Sequence, residues 1–404
     1  MNGIRDTQAF LRSMGLPDHD LRDLPSSDQR FPDGGQWRIE IPSVEGPNAL
    51  RAVYQYADEY GVPIHRVSQG SGVMLLTDDE LDEMAALGRQ RGIEISLFVG
   101  PRAGWDTGAM AYSTAGKIVG PKARGADQLV HAVEDVKRAL EHGINSVLVT
   151  DEGLLLVLGK MKEAGELPKD LILKGSVMLG ASNPASVRLL QDIGLTTFNT
   201  PTDLSLAHLA AIRAATTMPL DIYVEVPDDI GGFIRHYEIA ELVRVCAPVY
   251  LKFGLRNAPN IYPAGTHLEA TAIALTRERL RRARIGYDML KRLDPDAIMS
   301  LRQSRSNLVA DIHVSAVRVS SSRLRRSGGI SSPQRGQQGN ASLKNRSGEG
   351  LRGKASTRIR HAWHETRGGS GRPVFTCLRQ IRGCPPKTLL GLRIEHDDHD
   401  SAAR

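Results

Sequence analysis

The chain has 404 residues, 41% of them hydrophobic, which is ample for a full core and excludes a small stapled fold. Its formal charge of +6 is unevenly spread: residues 302–404 carry 20 Lys and Arg against 7 Asp and Glu, a net of +13, leaving −7 on residues 1–301. Of three cysteines only Cys246 lies in that acidic body, which excludes an intramolecular disulfide or a four-cysteine iron-sulfur cluster there.

No iron-sulfur cofactor is therefore expected, any other cofactor is left open, and a reducing, cytoplasmic setting is the expectation. The start, Met1-Asn2-Gly3-Ile4-Arg5-Asp6, has no apolar run of a secretory kind, and no window approaches the roughly 18 apolar residues of a bilayer span, so no membrane partner is expected.

Residues 1–36 read as a lead-in segment with a short helical patch around Ala9 to Met14. From Trp37 strand and helix patterns alternate. Arg38–Ser43 reads as a strand and Asn48–Tyr60 as a helix ended by Gly61. Ile64–Ser68 is followed by a helix opened by Thr77-Asp78-Asp79-Glu80, the spacing of a capping box, and closed by Gly92. Glu94–Gly100 is the third strand, and its helix waits until about Asp127 to Glu141.

Ser146–Thr150 precedes a helix over Leu154–Ala164, and Leu173–Leu179 precedes Pro184–Asp192. Thr196–Asn199 precedes Leu206–Ala215, Leu220–Val226 precedes Phe233–Val245, and Val249–Gly254 precedes Leu268–Leu293. Eight such units over about 255 residues predict an α/β fold with a single (β/α)8 TIM-like barrel over 37–301. The open doubly wound competitor expects a Gly-x-Gly-x-x-Gly turn after its first strand, where this chain has Ser43-Val44-Glu45-Gly46-Pro47.

In such a barrel, chemistry belongs to strand C-termini and the loops beyond them. Glu225 and Lys252 are ionisable residues inside otherwise apolar strand runs, and a charge buried on both faces needs a partner or a job. Parity points Glu40, Glu225 and Lys252 inward from neighbouring strands. They are the catalytic candidates, a carboxylate beside a lysine serving as general base and electrostatic partner; the same trio would equally serve as a structural ion pair. Arg102, Asn183, Asn199, Arg256 and Asn257 are the substrate-binding candidates, and the Gly-rich loop from Pro101 to Gly125 is long enough for a lid over an anion. No His-x-His, His-Glu-x-x-His, Cys-x-x-Cys or Gly-x-Ser-x-Gly occurs in the body, so no metal site and no serine-hydrolase elbow are expected.

Met178-Leu179-Gly180-Ala181-Ser182-Asn183, Leu189–Leu195, Thr202–Leu206 and Ile222-Tyr223-Val224-Glu225-Val226 occur in an order that resembles the U32 peptidase family of collagenase-related barrel proteins. That resemblance implies a TIM barrel, a peptide-like substrate and a functional Glu225. The His-Gly and cysteines that follow the family's Glu strand are replaced by Pro227-Asp228-Asp229-Ile230-Gly231-Gly232.

Beyond Arg302 apolar periodicity stops, and Ser, Arg, Gly and Gln dominate, which predicts a disordered basic tail over 302–404. Its preference for Arg over Lys would arise from translation of a shifted frame of GC-rich DNA. His396-Asp397-Asp398-His399-Asp400 there resembles a metal tract without a scaffold. The sequence thus points to a hydrolase or lyase acting on a small anionic or peptide-like substrate. The alternatives are a non-catalytic binding barrel, or a protein that meets nucleic acid through its tail. Oligomeric state is left open.

Overall fold

In the computed structural model, which describes residues 4–13, 23–104, 108–301, 364–367 and 373–376, the alternation closes on itself. Strands β1 (Trp37–Pro42), β2 (Arg66–Gln69), β3 (Glu94–Phe98), β4 (Ser146–Val149), β5 (Ile172–Gly175), β6 (Thr197–Asn199), β7 (Leu220–Glu225) and β8 (Val249–Phe253) pair in parallel in that order. β8 returns to β1 with Glu40 opposite Lys252, so the sheet is a closed (β/α)8 TIM barrel.

A first helix, α1 (Ile4–Ser13), precedes the barrel. The helices between strands are α2 (Pro47–Tyr60), α3 (Asp78–Arg91), α4 (Gly125–Glu141), α5 (Glu152–Ala164), α6 (Pro184–Asp192), α7 (Leu206–Ala215) and α8 (Ile239–Cys246), with α9 (Glu269–Leu293) after β8. Thr77 and Glu80 form the expected reciprocal cap: Glu80 N donates to Thr77 Oγ1 at 3.3 Å and Thr77 N to Glu80 Oε2 at 2.8 Å.

Strand alternation sorts the side chains. Ile39, Ile41, Val67, Leu97, Val147, Leu173, Phe198, Ile222, Val224, Leu251 and Phe253 join the helices in one apolar cluster, so the core is the shell between strands and helices. The other parity faces the lumen and is mostly polar.

One local expectation is corrected. The helix after β7 begins at Ile239 rather than Phe233, because Val226 N donates to Phe233 O at 2.9 Å and Glu225 bridges Ile234 antiparallel, folding 226–234 back on the strand end around Gly231 and Gly232 at positive φ. The loop after β3 carries short 3₁₀ turns at Ala109–Tyr112 and Thr114–Val119.

At the N-terminal end, residues 298–301 close the floor. Ser300 N donates to Trp37 O at 3.1 Å, and the Asp33 carboxylate accepts from Gly35 N, Ser300 Oγ and Leu301 N. His65 accepts Ile39 N at Nδ1 and meets Ser300 O with Nε2, which sets the neutral Nε2-protonated tautomer.

The chain divides into two compact units, 1–318 and 319–404. In the second, the described residues form an antiparallel pair, β9 (His364–Arg367) with β10 (Pro373–Thr376), which the sequence pattern did not announce. The remainder of 302–404, with the expected disorder and frame shift, lies outside the described residues. Among the described residues no helix is long and apolar enough to cross a membrane.

Candidate active site at the C-terminal end of the barrel

A TIM barrel lumen is ordinarily filled by branched apolar side chains. Here strand parity puts charges there. Lys174 on β5 lies 2.8 Å from Glu40 Oε2 on β1, a contact that crosses the ring, and it also pairs with Asp221 on β7. Arg66 on β2 reaches Glu40 at 3.3 Å, Asp221 at 3.1 Å and Glu94 at 2.8 Å. Its guanidinium stacks 3.6 Å from the Tyr250 ring, whose hydroxyl receives Arg38 Nη1 at 3.0 Å. A column of alternating charge thus runs up the barrel axis from Arg38 to Lys252.

Glu40 sits at its centre. Oε1 accepts from Ser68 Oγ at 2.7 Å and Lys252 Nζ at 3.1 Å, while Oε2 accepts from Lys174 and Arg66. Burial opposes ionisation, but the attraction of Lys174, Lys252 and Arg66 wins and holds the carboxyl well below the ordinary range. Burial pulls Lys174 below a normal lysine, with Asp221 and Glu40 resisting. Arg66 is held well above its ordinary value: burial opposes, and Glu94, Tyr250, Asp221 and Glu40 prevail.

Lys252 ends the column at the mouth. Its Nζ stands 4.5 Å from the Tyr223 ring centroid. With the Asn199 amide oriented to serve both neighbours, its oxygen accepts from Lys252 Nζ at 2.9 Å and its nitrogen donates to Asp221 O at 3.1 Å.

Glu40 and Lys252 therefore meet, with Asn199 against the lysine. Glu225, equally buried, is set apart from them. β7 shifts register between Tyr223 and Glu225, so Glu225 stands opposite Phe253. Its Oε1 accepts from Arg256 N at 3.1 Å, and Oε2 lies 3.6 Å from Arg282 Nε of α9 without a hydrogen bond.

The remaining candidates scatter. Arg102 is buried over the Phe98 ring at 3.8 Å and donates to the carbonyls of Gly70 and Ser71. Asn183 is exposed and caps α6, accepting Ser186 N at 3.0 Å. Arg256 is exposed beside Asp228 at 3.6 Å, and Asn257, at φ 55°, donates its N–H to the same carboxylate. Cys246 is buried, its thiol pushed up to about 12 by burial. Among the described residues no group of three His, Cys, Asp or Glu side chains could hold a metal ion.

Arg66, Lys174, Asp221, Tyr223 and Arg279 escaped the sequence reading. The first three carry the signal that singled out Glu225 and Lys252, a charge inside a strand pattern, but none lies at the C-terminal end of its strand: Arg66 opens β2, Asp221 is second in β7 and Lys174 third in β5. Arg279 shares the buried face of α9 with Ala272, Thr276, Leu280, Ala283 and Gly286. Helical spacing alone could have placed it inward.

Neither the protein-family models nor the curated proteins contain a match to this chain. Among solved structures it is similar to a U32 peptidase at 15% identity and TM-score 0.32, over 49% of this chain and 72% of that one. It is also similar to a putative copper homeostasis protein CutC from Streptococcus agalactiae, at 12% identity and TM-score 0.38 over 53% and 98% of the two chains. A putative lyase/mutase from Burkholderia cenocepacia matches at 14% identity and TM-score 0.35 over 59% and 79%. The barrel assignment rests on this chain's own strand pairing.

Proposed function

We propose that the protein is a (β/α)8-barrel enzyme acting on a small anionic substrate at the C-terminal mouth, by hydrolysis or by proton abstraction and elimination. The observation that carries this reading is that Glu40 is shared between two ammonium groups. Lys174 has Asp221 as well, whereas Lys252, at the mouth, has Glu40 alone among carboxylates of the described residues. One shared carboxylate leaves positive potential at Lys252, which suits it to stabilise developing negative charge on a substrate. Glu40, saturated by four donors, fixes the lysine rather than moving a proton.

Glu225 is the complementary carboxylate, buried with one oxygen free of hydrogen bonds. The U32 resemblance assigns it the family's acidic position, which makes hydrolysis of a peptide-like substrate the finer form of the reading. A non-catalytic binding barrel is the second reading, favoured by the completeness of the hydrogen bonding around Glu40.

The test is to incubate the full chain with pools of small carboxylates, phosphate esters and short peptides and to follow products by mass spectrometry. Turnover that falls about a hundredfold in Lys252→Met, measured at a temperature at which the variant is still folded, supports the enzyme. Turnover unaltered in Lys252→Met removes the lysine from the mechanism, and ligand-induced stabilisation with no product in any pool favours the binding protein.

A further inference from the structure

Arg66, Lys174 and Lys252 are buried beside carboxylates, whereas Arg102, Arg213 and Arg279 are buried with no carboxylate within ion-pair distance among the described residues; Arg102 and Arg213 each donate to two backbone carbonyls. Arg66 has three carboxylates and Lys174 two. Arg279, on α9 and 5% exposed, makes one hydrogen bond among the described residues, from Nη1 to Ser43 O at 3.2 Å; its Nε has no partner, and no carboxylate lies within ion-pair distance. Glu45 acts on it from further off, but both Glu45 oxygens are taken by backbone N–H groups, of Gly70 at 2.7 Å and Ser71 at 3.1 Å. A buried Nε–H without an acceptor is costly unless a ligand supplies one.

The surroundings suit an anion. Tyr223 is under the influence of two cations: Lys252 lies over its ring, and the charge of Arg279 acts on its phenol. Ser43, held at φ 59°, offers its carbonyl to Arg279 while its hydroxyl pairs with Tyr262. Burial depresses Arg279, with Tyr262, Glu45 and Tyr223 opposing.

We propose that Arg279 is an oxyanion-binding residue of the mouth, gripping a carboxylate or phosphate group of the substrate beside Tyr223 and Lys252; the assignment rests on the proposed function above and names the residue that selects the anion. A guanidinium fork meets either group through two parallel hydrogen bonds.

The experiment titrates the full chain with inorganic phosphate and, separately, with acetate, against sodium chloride at equal ionic strength, reading melting temperature and calorimetric heat. The expected result is a saturable response to at least one anion, weakened about tenfold or more in Arg279→Met and partly kept in Arg279→Lys. A response to acetate alone marks a carboxylate substrate, and to phosphate alone a phosphorylated one. Equal responses of the parent chain and Arg279→Met overturn the assignment, and so does failure of both Arg279→Met and Arg279→Gln to fold, which makes the arginine structural. A response lost in Lys252→Met yet kept in Arg279→Met leaves the reading of the mouth standing while overturning Arg279. Absence of any saturable response in the parent chain overturns both.

Discussion

Lys174 Nζ and Glu40 Oε2 lie 2.8 Å apart across the lumen, each carried by a fully buried side chain from opposite sides of the ring. Removing one member of such a pair strands the other in low dielectric. Lys174→Met is expected to destabilise by about 3–5 kcal/mol in urea unfolding, because Glu40 and Asp221 both lose a cation. Adding Asp221→Asn to Lys174→Met should return part of that loss, so the double variant is less destabilised than the two single changes added together. Additive losses would show that the two side chains are not coupled.

The floor makes a separate prediction. Asp33 gathers Gly35 N, Ser300 Oγ and Leu301 N; burial opposes its charge, yet these bonds and Arg38 hold its carboxyl below the ordinary value. Asp33→Ala should cost about 1–2 kcal/mol and speed amide exchange at Ser300 and Leu301, with little change in β5–β7. Unchanged exchange at those two amides would contradict a latch.

Helix propensity and packing oppose each other at Gly159 in α5. Alanine there should favour the helix by about 1 kcal/mol, but its Cβ would meet the Ile193 carbonyl oxygen and approach Gly194. Backbone cannot move aside as a side chain can, so Gly159→Ala is expected to lower the melting temperature. A rise would mean that the close approach relaxes freely.

His236 gives the pH dependence. Burial lowers it below its ordinary 6.5, with the Arg282 carbonyl opposing and the Arg282 charge adding to the depression. A histidine whose native value lies below its unfolded one binds fewer protons when folded, so its contribution is present above about 6.5 and lost as the pH falls through the lower native value. The facing groups are Phe253, 5.9 Å away by ring centroids, and Arg282 of α9. His236→Phe should flatten the melting temperature profile between about pH 7 and 5. An unaltered slope would place the titration elsewhere.

The repeat of eight strands and helices was legible because parallel strands buried on both faces leave continuous apolar runs. The capping box at Thr77 and the glycine stops at Gly61 and Gly92 marked helix ends correctly for the same local reason. The start of α8 was not legible, since the hairpin that folds Ile234 back on Glu225 depends on a pairing between strand and loop. Within the site, parity brought Glu40 to Lys252, but the register shift in β7 belongs to the sheet rather than the segment, and it separates Glu225 from them. Arg66, Lys174 and Asp221 are single charges in short strands; that they compensate one another is visible only once the ring closes.

The axial column also divides unequally between the halves of the molecule. β1–β4 supply Arg38, Glu40, Arg66 and Glu94, while β5–β8 supply Lys174, Asp221 and Lys252. Separating the halves would break the pairs of Glu40 with Lys174, Glu40 with Lys252 and Arg66 with Asp221, each of which spans them, and leave those buried groups without their partners. Neither half-barrel is a self-sufficient folding unit on this account, and two separately expressed halves would attract one another and assemble as complementary fragments.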